Sequence, residues 1–303
     1  MEQSVRKIGN VLLAKMKRQF LSFFLLLMVL ASCEQPLLPD ENSTGGDADG
    51  NLIVSVFQIE QQSFAVPLTR AMLTDYCSRL SMAVYDAKGS LVKQVHQSVG
   101  DASFGSAAFS LDPGTYRIVV VGHSSGNPTM TDPAKIKFDN SDGFTDTFLH
   151  SATVQISAEE EENVVQAHLK RITSLCRVVF TDAIPAGVTQ MHFEYKGGSG
   201  AFDAATGLGS VNSTQKMTFA VEPGQQDCTF DLYTFLRDTE GTLQLQASAQ
   251  DENGNERYGR TFQVPMKQRM ITRLSGPYFS GNTSVNIVIG IDAEWEGEQI
   301  VYF

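Results

Sequence analysis

Leu111-Asp112-Pro113-Gly114-Thr115-Tyr116-Arg117-Ile118-Val119-Val120-Val121 joins a turn to an unbroken apolar run, and its reading decides the fold. Proline presets φ at the first corner of a turn, and glycine supplies φ > 0 at the next. The β-branched residues that leave the turn read as a central strand. The same grammar recurs upstream. Leu52, Val54 and Val56 alternate with Ile53 and Ser55, the period of two expected of a strand. Leu80, Met82 and Val84 do the same ahead of the turn Asp86-Ala87-Lys88-Gly89, and residues 91–95 and 104–111 add two further strands. Downstream, residues 154–156 and 164–169 complete a first sandwich, with Glu159 to Glu162 as a solvated acidic corner between them.

The pattern then restarts. Predicted strands at 175–180, 188–195, 217–221, 229–235, 243–247, 258–264, 271–274 and 285–291 are separated by turns at Ile184-Pro185-Ala186-Gly187, Glu222-Pro223-Gly224 and Asn253-Gly254. Gly197 to Gly209 reads as a flexible, glycine-rich connection. Short strands with turn signals about every 8–12 residues mean sandwiches or barrels. No long stretch has helical period. The chain reads as all-β, with two tandem Greek-key β-sandwiches at residues 51–169 and 170–303.

The N-terminus carries a different signal. Lys15-Met16-Lys17-Arg18 is basic, and residues 20–30 are apolar apart from Ser22. Eleven residues of helix rise only about 16 Å, well short of the ~20 residues that a bilayer span needs. A short basic-then-apolar segment ending in small residues is a secretory signal. Leu30-Ala31-Ser32-Cys33 has the form of a lipobox, which predicts cleavage between Ser32 and Cys33 and a diacylglycerol on the Cys33 sulfur. Residues 1–32 are then a signal peptide, with Met16 as the natural start. The polar stretch 33–50, ending Asn42-Ser43-Thr44-Gly45-Gly46-Asp47-Ala48-Asp49-Gly50, cannot bury enough apolar surface to offset ordering, so it reads as a flexible lipidated linker.

The whole chain of 303 residues has a net charge of −11. Removing residues 1–32 takes away five basic residues and Glu2, leaving 18 basic and 33 acidic residues and a charge of −15. That acidity excludes nucleic-acid binding and electrostatic adsorption to anionic membranes, and leaves the lipid as the membrane contact. Three cysteines remain beyond Cys33. Cys176 and Cys228 could pair in an oxidising compartment, but with Cys77 the number is odd, and separately buried thiols are the simpler reading.

Motifs that could carry chemistry fall short on inspection. Gly122-His123-Ser124-Ser125-Gly126 matches the G-x-S-x-G nucleophile elbow after a strand, but that elbow needs a following helix, and Pro128 and Pro133 block one. Asp251, Asn253 and Asn255 imitate the start of a calcium loop, yet position six is Glu256 rather than Gly and position twelve is Phe262 rather than Glu. The five histidines, His96, His123, His150, His168 and His192, show no metal-ligand spacing and are expected at surface or sheet-edge positions. Gly197-Gly198-Ser199-Gly200 lacks the Lys and the helix of a phosphate loop. The reading is of a non-enzyme with no metal and no cofactor.

Several stretches, taken in order, resemble the FimB-type fimbrial anchor and minor-subunit lipoproteins of the Bacteroidales, within the wider fimbrillin group. They are the lipobox, Leu80-Ser81-Met82-Ala83-Val84-Tyr85-Asp86, the Leu111-to-Tyr116 turn, Leu169-Lys170-Arg171, and Val178-Val179-Phe180-Thr181-Asp182 before Ile184-Pro185. The resemblance runs from Cys33 nearly to the C-terminus. It implies two transthyretin-like sandwiches, a lipid anchor in the outer membrane at the cell surface, and a place in the fimbrium as anchor or accessory subunit. It also implies joining to other fimbrial subunits by strand addition, in which one chain's extended segment completes another's sheet. The tail Ile300-Val301-Tyr302-Phe303 is then either a donor strand or, as we favour, the last strand of its own domain. Two alternatives stand beside this reading. A polymerising shaft or tip subunit would be matured by cleavage after Arg70, in Leu68-Thr69-Arg70-Ala71. A glycan-binding surface lipoprotein would use exposed aromatics, for which Trp295 and Tyr278 are the candidates.

Overall fold

The decisive run becomes β6 (Gly114–His123), hydrogen-bonded on both sides, to β3 (Arg79–Tyr85) and β8 (Phe148–Ile156). The structure, a computed structural model, describes residues 45–47, 50–59, 73–139, 143–158, 162–280, 287–290 and 298–302. Residues 1–32, expected to be a signal peptide, lie outside the described residues. In the first half the other strands are β1 (Gly45–Gly46), β2 (Leu52–Ile59), β4 (Leu91–Ser98), β5 (Ser106–Phe109), β7 (Ile136–Lys137) and β9 (Asn163–Arg171). In the second half they are β10 (Ser174–Phe180), β11 (Gln190–Lys196), β12 (Ala201–Phe202), β13 (Gln215–Ala220), β14 (Cys228–Thr234), β15 (Glu240–Gln250), β16 (Glu256–Lys267), β17 (Ile271–Gly276), β18 (Ile287–Gly290) and β19 (Glu298–Tyr302).

The first-half strands run in the order β1-β5-β2-β9-β8-β6-β3-β4. The join between β9 and β8 is only two residue pairs long, Phe148 with Arg171 and Leu149 with Lys170. The ribbon folds at that corner into two layers. Between them lie Leu52, Val54 and Val56 of β2, Leu80, Met82 and Val84 of β3, Ile118 and Val120 of β6, and Ala167 and Leu169 of β9. Alternation explains the layer. Along β9 the inward residues end in buried Ala167 and Leu169, while Val164, Gln166 and His168 are exposed. Each fully buried aliphatic side chain contributes about 1.5–3 kcal/mol.

The second half repeats the plan with a five-stranded sheet, β14-β10-β17-β19-β18, and a four-stranded one, β13-β11-β15-β16. Cys176, Val178 and Phe180 of β10 meet Met191, Phe193 and Tyr195 of β11 and Leu243, Leu245 and Ala247 of β15. The expected turns hold here: Gly187, Gly224 and Gly254 have φ of 83°, 85° and 79°. Gly114 departs from its expected role. It is absent from the left-handed region and already lies in β6, paired with Ile156, beside the Tyr116 ring at 3.4 Å from a virtual Cβ. The turn is instead braced by the Tyr116 hydroxyl, which donates to the Asp112 carbonyl at 2.9 Å.

β3 and β6 are buried on both faces, which accounts for their unbroken apolar runs. Their outer residues Ala83, Tyr85, Val119 and Val121 belong to a third cluster with Ile136, Phe138, Phe144 and Ile172, and with Phe202 and Phe235 from the second half. Phe144 stacks on Phe235 with centroids 4.6 Å apart and planes 11° apart. β7 pairs with β12, Ile136 opposite Phe202. Beside them Arg171 forks onto Asp146 at 2.8 Å, and the Thr173 hydroxyl donates to the same carboxylate at 2.6 Å. The glycine-rich stretch expected to be flexible is thus packed: Ser199, Ala201 and Phe202 are fully buried, and a Cβ on Gly198 would fall onto the Thr234 hydroxyl.

Candidate functional site

Cys33, Ser32 and Arg70 lie outside the described residues, as does Trp295. The described residues begin at Gly45, inside the stretch expected to be a linker. Gly45 and Gly46 form β1, a parallel addition to β5 opposite Ala107 and Ala108. The last part of the stretch read as a flexible linker is therefore docked. Gly46 has a φ of 99°, and a Cβ there would lie 2.1 Å from the Ala108 carbonyl oxygen, so the close approach requires glycine. Asp47 locks the attachment. Its carboxylate accepts the Ser110 amide at 2.8 Å and the Lys93 ammonium at 3.0 Å. These contacts, the backbone amide first, hold its pKa below the usual carboxylate value. No composition signal marks this dock, because glycine and aspartate in a polar stretch also spell linker.

The outermost strands are β1 and β4 in the first half, and β14, β18, β13 and β16 in the second. Most carry devices that discourage a further strand. Lys93 stands on β4, Lys216 on β13, and β16 holds Pro265 together with Arg257, Arg260 and Lys267. β14 differs. Its seven residues pair with β10 in unbroken register from Cys228–Phe180 to Thr234–Ser174, without Pro, Gly or Lys. Its one charge, Asp231, is neutralised by Arg177 at 2.7 and 2.8 Å. Only its end is closed, where the Tyr195 hydroxyl donates to the Tyr233 carbonyl at 2.9 Å. The sequence showed 229–235 as a strand, but edge position depends on topology.

The tail residues 300–302 lie in β19, parallel to β17 and antiparallel to β18 in the chain's own sheet. The segment after β17 is held by Asp182, whose carboxylate accepts the amides of Tyr278, Phe279 and Ser280 at 2.7–2.8 Å. Tyr278, offered above as an exposed aromatic, is instead core. It is 1% exposed, stacks on Phe180 at 4.3 Å, and donates to the Ala247 carbonyl at 2.8 Å.

The elbow-like motif closes β6 and runs into a loop. The Ser124 hydroxyl accepts the Ser78 amide at 3.0 Å, and the Ser124 amide donates to Thr145 Oγ1 at 2.8 Å. His123, expected at the surface, is fully buried. Its Nδ1 faces the Ser125 carbonyl at 3.1 Å and must donate, so Nε2 accepts from Ser81 at 2.9 Å. The Ser81 oxygen in turn accepts from His96 Nδ1 at 2.8 Å. Burial pushes the His123 pKa down to about 4. Asp251 is a turn cap: Oδ1 accepts the amides of Asn253 and Asn255 at 3.0 Å each, and Arg257 covers Oδ2. Cys77, Cys176 and Cys228 are buried free thiols, and burial raises the pKa of Cys176 to about 12.

Residues 63–300 match the family model described as Mfa2, fimbrillin-A associated anchor proteins Mfa1 and Mfa2. Among solved structures, the fimbrial anchor protein Mfa2 from Porphyromonas gingivalis is 15% identical, with 69% of this chain and 80% of that chain covered at a TM-score of 0.42. A proposed adhesin from Bacteroides ovatus is 15% identical, covering 70% of this chain and 82% of its own at 0.46. Another from Bacteroides thetaiotaomicron is 12% identical, covering 71% and 81% at 0.45. No curated protein matches the chain in sequence. Because the family model spans most of its length, the chain belongs to the fimbrillin-A associated anchor proteins.

Proposed function

We propose that this chain is a lipoprotein held in the outer membrane through Cys33, acting without catalysis as a fimbrial anchor or accessory subunit. Family membership across residues 63–300 carries the reading. The layout of the chain supports it. A lipid on Cys33 would stand eleven residues before Gly45, and eleven residues span at most roughly 35–40 Å. Load on such a tether would enter the first sandwich at the β1–β5 pairing and the Asp47 lock. Residues 51–169 and 170–303 serve as the two sandwiches of this body. We assign β14 as the acceptor edge for a neighbouring subunit's extended strand, since main-chain pairing along it meets no proline and its one charge, Asp231, is paired with Arg177.

Fractionation and acyl labelling of Cys33→Ala beside a deletion strain test the reading. The wild type should take label and stay with the membrane, the variant should be released unlabelled, and the deletion should shed fibres or change their length. A variant that stays in the membrane, or fibres unchanged on deletion, would contradict it.

A further inference from the structure

A cleft of about 400 Å³ opens where the turn between β3 and β4 overhangs the start of β6. Its floor is one row of side chains across three paired strands: Tyr85 on β3, Arg117 on β6 and Thr153 on β8 stand opposite one another. Tyr85 seals the floor, fully buried with its hydroxyl donating to the Met130 carbonyl at 2.6 Å. The walls of the cleft are Pro133 and the turn residues Asp86 to Gly89. Both walls are firmly held. Asp86 Oδ1 accepts the amides of Lys88 and Ser90 at 2.8 Å each, and the Pro133 carbonyl accepts the Ala204 amide at 2.8 Å.

Arg117 sets this cleft apart. Four other strand arginines have oxygen partners: Arg171 has Asp146, Arg177 has Asp231, Arg79 has Asn127, and Arg260 has the Pro277 carbonyl. Arg117 is half-buried, yet no carboxylate, amide or carbonyl oxygen receives its guanidinium among the described residues. A partly desolvated guanidinium without an acceptor is costly, so the position favours an incoming anion. Lys88, also lining the cleft, has no ion pair among the described residues. Against these two cations stands the Asp86 carboxylate, so the lining charge is +1, which a monoanion neutralises and a dianionic phosphate would exceed. The Thr115 hydroxyl, which donates to Gln155 and keeps its oxygen as an acceptor, and the Thr153 hydroxyl border the cations, with the Pro133 ring beside them. A peptide main chain finds no ladder here, because β3, β6 and β8 already pair with one another.

We propose that this cleft binds a carboxylate-bearing sugar residue, its carboxylate forked by Arg117 and neighboured by Lys88, its hydroxyls on Thr115 and Thr153. The full chain in detergent, titrated with glucuronate and followed by calorimetry or saturation-transfer NMR, tests this beside glucose and inorganic phosphate. Saturable glucuronate binding is expected, exceeding that of glucose and phosphate. It should weaken by about tenfold or more in Arg117→Gln, from loss of charge-assisted hydrogen bonds, and several-fold in Lys88→Ser. Lys88 lies on an exposed turn, so Lys88→Ser decides the matter if Arg117→Gln fails to fold. No saturable binding, phosphate or glucose bound as well as glucuronate, or affinity unchanged in the folded variants would overturn the proposal.

Discussion

The two sandwiches share one alternation of strands and turns, yet they fill their interiors differently. In the second, Phe180, Phe193, Phe230 and Tyr278 pack ring on ring, and fully buried polar groups such as Gln215, Thr234 and Thr272 are uncharged at any pH of interest. The first encloses an imidazole among its polar groups. Ser81, Gln97 and His123 are buried, and the directed chain from His96 through Ser81 to His123 works only while the His123 ring is neutral. Burial lowers the pKa of His96, His123 and His150 alike, all three in the first sandwich. Equal strand patterns therefore conceal unequal sensitivities: the ring cluster responds to lost volume, the histidines to protons.

The largest expected effect erases the contrast, because it acts on the cluster that both halves share. Phe235→Ala removes the ring stacked on Phe144 and packed against Phe138 and Phe202. Truncating a buried phenylalanine costs about 3–5 kcal/mol. Denaturant melts should shift by that amount, with protection against hydrogen exchange falling in β6 as well as β14. Loss confined to the second half would show that the shared cluster does not couple them.

Acid should separate the halves. An unfolded histidine titrates near 6.5, and in the fold His123 stays neutral down to about 4. Unfolding therefore takes up protons below pH ~6.5, so the stability from neutral His123 is whole above that value and drains as pH falls toward 4. Two and a half units correspond to about 3 kcal/mol, with His96 and His150 adding in the same direction. Hydrogen exchange at pH 7 and pH 4.5 should show β3 and β6 losing protection well before β11 and β15. Equal loss in both sandwiches would contradict this account.

A smaller and local effect concerns the tether. Gly46→Ala puts a methyl against the Ala108 carbonyl at an unfavourable φ, and should loosen β1 by about 1 kcal/mol or more without shifting the main melt. Limited proteolysis would reveal it as faster cleavage ahead of Leu52. An unchanged cleavage rate would mean that the dock contributes nothing.

Most of the strand list was legible because period-two alternation and turn residues are local signals. Leu243-Gln244-Leu245-Gln246-Ala247 and Asn253-Gly254 needed no tertiary knowledge. What was missed depended on contacts far apart in sequence. Phe138 and Phe144 sit in polar surroundings, and only the approach of Phe202 and Phe235 makes them core. The glycines at 197, 198 and 209 suggested looseness, whereas the reason for them is the close approach of Thr242, Thr234 and Phe235. Tyr278 reads as a surface ring because nothing in its neighbours foretells the carbonyls of Ala247 and Tyr258 beside its hydroxyl. Arg117 stands at the head of an apolar strand, where the sequence alone does not show whether a carboxylate faces it.

The central claim, an anchor that works while still joined to its lipid, is tested most directly by mass spectrometry of the mature N-terminus in surface preparations. An acylated Cys33 as the first residue, with Arg70–Ala71 intact, is the predicted result. A new N-terminus at Ala71 would cut the body away from its lipid and contradict the anchor reading in favour of a polymerising subunit.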